Sequence, residues 1–217
     1  MLRVHSIVFC VVLISARLCA VPKAHVVALG RSTVISWRTD GEDKPVTLKL
    51  RALLVDGRTK EFTVGQAHDV TERTFVVQRI YKLNDSLPQE SGPSRWRWQL
   101  GGWLLVDRTS GKIRQITLPE FDPDLSSVSW FRDYAAYCGI SDNGQKVLAL
   151  IVQLGRRKPL LRKGIGETKG SLCFPPEWER NPVRASFELN PDQKLIFAVN
   201  SRAIEAIEED DDDSGSE

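Results

Sequence analysis

The sequence is poor in what catalysis and membrane insertion require. Histidine occurs three times in 217 residues, at His5, His25 and His68. No G-x-S-x-G, H-E-x-x-H or paired C-x-x-C is present, so a nucleophile elbow, a zincin site and a dithiol redox pair all lack their defining residues. No apolar run reaches the roughly 18–20 residues of a membrane-spanning helix. An amphipathic helical stretch of about twelve residues or more is missing as well, while eleven Pro and fifteen Gly punctuate the chain. Together these absences point to a non-enzymatic protein built without long helices. Hydrophobic residues make up 41% of the chain, which excludes wholesale disorder.

Residues 1–20 have the layout of a secretory signal. Arg3 and His5 form a short basic start, residues 7–14 are almost wholly apolar, and Leu18-Cys19-Ala20 ends on a small residue. Export to a secreted or periplasmic location follows. Removing the segment leaves 28 basic and 28 acidic side chains and only two cysteines, Cys138 and Cys173. Two cysteines in an oxidising compartment predict a disulfide. At the other end, residues 205–217 carry eight acidic residues and no basic one, the composition of a disordered acidic tail. A single domain over residues 21–204 lies between, with 28 basic and 20 acidic residues.

Period-two patterning dominates that domain. In residues 47–54, Leu48, Leu50, Ala52 and Leu54 alternate with Thr47, Lys49 and Arg51, as in a half-buried strand. Asp56-Gly57 then signals a hairpin with residues 59–64. Two more hairpins are expected: 103–107 with 113–118, and 134–140 with 146–154. Residues 147–152 are apolar on both faces, as in a central strand. Further strands are expected at 26–29, 33–37, 75–83, 95–100, 183–189 and 195–200. The fold class is all-β and antiparallel, as propeller-like blades, a sandwich or a partly open barrel.

Residues 103–152 run strand, D-x-x-S-G-K turn, strand, Ser-Trp-Phe, S-D-N-G-Q-K and strand, and acidic turns recur at Asp40, Asp142 and Asp192. The stretch resembles a TolB-type or WD40-like β-propeller blade, whose repeat runs about 40–50 residues. The blocks P-S-R-W-R-W-Q-L-G-G-W-L-L-V-D-R and Y-A-A-Y-C-G-I-S-D-N-G-Q-K resemble uncharacterised secreted proteins of soil bacteria. That resemblance implies export and a shared fold, and it carries no activity and no functional residues.

Two groups of residues have the chemistry of a binding site. Trp96 and Trp98 fall on one face of a strand, with Arg95 and Arg97 on the other, and Trp103 follows. Facing outward, these indoles would stack on sugar rings or cations; facing inward, they fill the core. Arg156, Arg157, Lys158, Arg162 and Lys163 place five cations within nine residues, an anion-binding patch for an acidic polymer or glycan. An exported chain has little occasion to meet nucleic acid.

The remaining candidates are weaker. His68-Asp69 is the single neighbour pair that an unrecognised hydrolase would use. Asp122 and Asp124 flank Pro123 as turn residues rather than as metal ligands. The glycines of 164–170 fit neither a dinucleotide nor a Walker loop, and read as a flexible connection. No cofactor is implied. The chain is expected to be an exported interaction or accessory module, with a carbohydrate-binding module as the alternative. Its partner, whether acidic polymer, glycan or another exported protein, is not written in the sequence.

Overall fold

A computed structural model describes residues 24–37, 46–87, 89, 92–168, 173–190, 193–200 and 204–207. The signal-like segment, Asp40, Asp192 and most of the acidic tail lie outside them. Fifteen strands and no helix occur among the described residues. They form three antiparallel sheets.

The first sheet holds β1 (Val27–Leu29), β2 (Thr33–Trp37), β3 (Val46–Val55), β4 (Arg58–Asp69), β5 (Thr74–Asn84), β6 (Trp96–Asp107) and β7 (Ile113–Ile116). The order is β1-β3-β4-β5-β6-β7, and β2 pairs with β3 beside β1. The hairpin predicted at Asp56-Gly57 is present. Both residues take positive φ, 53° and 74°, the conformation a two-residue turn needs to match strand twist. Asp107 closes the β6–β7 turn. It accepts hydrogen bonds from the backbone N–H groups of Thr109 and Ser110 and from Arg73 Nε. The Arg73 guanidinium, followed by the Ser110 N–H, holds this carboxyl well below the usual carboxylate range.

The middle sheet is the meander β8 (Val128–Phe131), β9 (Tyr134–Ile140), β10 (Lys146–Gln153) and β11 (Leu161–Glu167). The last sheet is the meander β12 (Glu177–Arg180), β13 (Val183–Asn190), β14 (Gln193–Val199) and β15 (Ile204–Ile207). Each is a four-stranded blade-like unit, and none of the three sheets closes into a barrel. The stretch 103–152 is therefore divided: its first hairpin belongs to the first sheet and the rest to the middle one. β11 corrects the reading of 164–170 as a connection, since Gly164, Ile165 and Gly166 lie within it. β15 carries pairing to Ile207, three residues into the segment assigned to the tail.

Alternation explains how the layers stack. On β10, Val147, Ala149 and Ile151 join Phe187, Leu189 and Phe197 of the last sheet in one core. Leu148, Leu150 and Val152 join Val76 and Trp103 of the first sheet in another. A strand covered on both faces must be apolar wherever it is covered, and β10 is apolar from Val147 to Val152. Meanwhile the first sheet bends over itself, so that Leu53 of β3 shares a cluster with Phe75, Val77, Leu104 and Val106.

A strap, residues 118–121, crosses the face of the middle sheet that looks toward the first. Tyr137 donates to the Pro119 carbonyl (2.7 Å), and the Ile140 N–H donates to the Glu120 carbonyl (3.0 Å). Burial, followed by the nearby Glu120 carboxylate, pushes the Tyr137 hydroxyl above the ordinary phenol range. The folded chain thus keeps this proton to a higher pH than the unfolded chain does. Stability from this group is complete below about pH 10 and declines above it, by up to ~1.4 kcal/mol per pH unit. Urea midpoints measured between pH 9 and 11.5 should fall more steeply for the native chain than for Tyr137→Phe; parallel slopes would refute the assignment.

Candidate functional site

A cleft between the first and middle sheets arises from a fault in the β4–β5 pairing. Val64 pairs with Gln78, and pairing resumes only at His68 with Val76, so β4 carries extra residues there. Gly65, at φ +75°, supplies the left-handed conformation of this bulge. A second irregularity lies opposite, where Gln78 pairs with Trp103 and Ile80 with Leu100. The extra residue at Gly101-Gly102 returns Trp103 to the face that carries Trp98 and Leu100. Between these distortions and residues 123–130 opens a cavity of about 550 Å³, within the size range of small-molecule sites.

Three aromatic rings shape it. Trp130 of β8 meets Trp103 edge-on, with centroids 5.3 Å apart, and His68 stacks on Trp130 at 6.2 Å. His68 Nε2 lies 2.9 Å from the Arg132 carbonyl oxygen. A carbonyl only accepts, so Nε2 carries the hydrogen, and in the neutral ring Nδ1 is left as an acceptor. The indole Nε1 atoms of Trp103 and Trp130 are both buried without an acceptor. Ser126, Ser127 and Ser129 add hydroxyl groups to the wall. The lining includes Asp124 and neither Lys nor Arg. The cavity thus offers donors and acceptors without cationic charge.

The tryptophans read from the sequence divide by depth. Trp96 is exposed at 63%. Trp98 is half-buried beside Leu50, Val64 and Ile80, edge-on to Phe62, with Lys82 Nζ 5.1 Å from its ring centre. Trp103 is 8% exposed and belongs to the cavity. Neither a wholly outward nor a wholly inward Trp face describes them. Trp130, noted in the sequence only as part of Ser-Trp-Phe, completes the site.

His68 and Asp69 form no dyad. His68 turns to Arg132, and Asp69 accepts from Arg108 Nη2 at 2.6 Å, as strand alternation requires of neighbours. The five cations do not form one patch either. Arg162 is bound to Glu120. Lys163, on the opposite face of β11, lies over Phe197. Arg156, Arg157 and Lys158 remain together in the β10–β11 turn. Asp122 is used by its own loop, accepting from the Asp124 N–H (2.9 Å) while its N–H donates to Ser126 Oγ. Among the described residues no three His, Cys, Asp or Glu side chains cluster as metal ligands. Cys138 of β9 and Cys173, ahead of β12, are joined by the predicted disulfide. No family model, curated protein or solved structure matches the chain.

Proposed function

We propose that the chain is an exported, non-enzymatic binding module whose ligand is a neutral saccharide held between the first and middle sheets. One observation carries this reading: the aromatic rings of His68, Trp103 and Trp130 line one cavity whose wall holds neither Lys nor Arg. Aromatic faces stack on sugar rings, and a hydroxylated ligand would also donate to His68 Nδ1. The absence of Lys and Arg from the lining disfavours an anion. Export is supported by the disulfide, which suits an oxidising compartment. No helix among the described residues is long and apolar enough to cross a membrane.

Tryptophan emission should shift or quench when the protein is titrated with a panel of oligosaccharides. Trp130→Ala removes one stacking ring from the cavity wall. It should weaken binding about two- to tenfold, the size of one aromatic stacking contact. If no sugar perturbs the emission, the saccharide reading is wrong. A second reading, docking of another exported protein, draws on Trp96 and Phe62, which expose 63% and 37% of their surface on the same sheet face.

A further inference from the structure

The structure assigns a second binding site, independent of the first, to the turn between β10 and β11: we propose that it takes a fatty-acid-like ligand, one carboxylate on a medium-length alkyl chain. Beneath this turn lies a cavity of about 250 Å³, which residues 116–119 also line. Its walls are mostly apolar: Leu118 and Val152 are buried core residues, Leu154 and Pro159 join them, and Thr117 and Gln153 add polar groups. The turn itself is fixed rather than loose. The Leu154 N–H donates to Asp133 O (2.9 Å), Arg156 N–H to Gln153 O (3.1 Å) and Leu160 N–H to Ile151 O (2.7 Å).

The rim carries the charge. Arg156, Arg157 and Lys158 all line this cavity and are exposed. None of the three forms an ion pair or side-chain hydrogen bond among the described residues, whereas Arg162 on the adjoining strand is bound to Glu120. Three like charges on consecutive residues repel one another, and a bound anion relieves that repulsion. A bare anion would use the rim and leave the cavity idle; a neutral hydrocarbon would do the reverse. An alkyl carboxylate uses both, with its head group on the guanidinium groups, whose fork matches a carboxylate, and its chain on Leu118, Val152 and Leu154.

The test is calorimetric titration of the full chain with hexanoate, octanoate and decanoate, and with octanol, inorganic phosphate, heparin and phosphatidylglycerol vesicles. Affinity should rise along the carboxylate series by up to about fourfold per methylene until the cavity is full. Octanol should bind at least tenfold more weakly than octanoate. The variant Arg156→Gln/Arg157→Gln/Lys158→Gln, altered only at exposed positions, should lose at least tenfold in octanoate affinity and keep its octanol affinity. The proposal is overturned if affinity is independent of chain length, or if the triple variant binds octanoate as tightly as the native protein. It is also overturned if heparin, phosphate or vesicles bind while the free carboxylates do not, which would make the turn a simple charged surface.

Discussion

Gly139→Ala should destabilise the protein by about 3 kcal/mol, at the upper end of what overpacking a core costs. For a chain of this size that lowers the melting temperature by roughly 6–12 °C. A Cβ at position 139 would stand 2.7 Å from the Glu120 carbonyl oxygen and would also collide with the Leu150 side chain. Leu150 is fully buried, so it has nowhere to turn. The carbonyl is held in place too: it accepts the Ile140 N–H, while its neighbour Pro119 accepts Tyr137 and the Glu120 carboxylate accepts Arg162. Glu120 itself sits at φ +53°, a conformation rarely taken by a non-glycine residue and kept only where its surroundings impose it. Relieving the clash therefore means lifting the strap and breaking several of these bonds. Gly164→Ala is the control, because a Cβ there meets nothing within 4 Å. Calorimetric scans of both variants decide the point, and equal melting temperatures would show that the strap moves freely.

What the sequence disclosed follows from where the apolar residues lie. Strands that meet the core at every second position, such as β13, were visible as alternation; on β3, where the register shifts between Leu53 and Leu54, Leu53 and Val55 are buried in place of the expected Ala52 and Leu54. β10 stood out because both its faces are covered. Turns were visible where backbone geometry demands glycine, at Gly57, Gly111 and Gly144, all at positive φ. The edge strands β1, β2 and β7 of the first sheet were visible, but those of the middle and last sheets were not. β11 places one buried side chain, Ile165, in seven residues, and β12 and β8 have four residues each. Such strands are held by backbone pairing with a neighbour, which leaves little trace in composition. β15 was hidden for another reason: Glu205 lies within it, and the acidic residues beyond set the composition of the whole segment.

The site was half legible for a related reason. Alternation placed Trp96 and Trp98 on one face, but the face of Trp103 depends on the extra residue at Gly101-Gly102. Isolated glycines in a strand hint at such a bulge without locating it. The junction of His68, Trp103 and Trp130 joins β4, β6 and β8 across two sheets, a proximity that exists only once the layers stack. Likewise Arg162 and Lys163 are neighbours in sequence and point to opposite faces of β11, so counting charges could not separate the committed cations from Arg156, Arg157 and Lys158. The Cys138–Cys173 pairing was legible because reading residues 1–20 as a leader leaves only these two cysteines to pair.

Cys138→Ala/Cys173→Ala should lower stability by roughly 4 kcal/mol, the loop-closure value for a bridge spanning 35 residues. That corresponds to a fall in melting temperature of roughly 8–16 °C. Alanine is the suitable replacement because Cys138 is 5% exposed among Ala136, Ala149 and Phe187, where a serine hydroxyl would be buried in apolar surroundings. The loop closed by the bridge contains all of β10 and β11, and its end leads into β12. Reopening it enlarges the unfolded ensemble without removing the packing of Phe187, Leu189 and Phe197 against the middle sheet. Native-state hydrogen exchange should therefore keep the same order of protection among strands, with every globally exchanging amide faster by a common factor. Reductant should lower the melting temperature of the native protein to that of the double variant and leave the variant unchanged. If reductant has no effect on the native protein, the bridge is not a determinant of stability. If only β12–β15 lose protection, the bridge acts instead by docking the last sheet onto the middle one, and the entropic account of its effect is wrong.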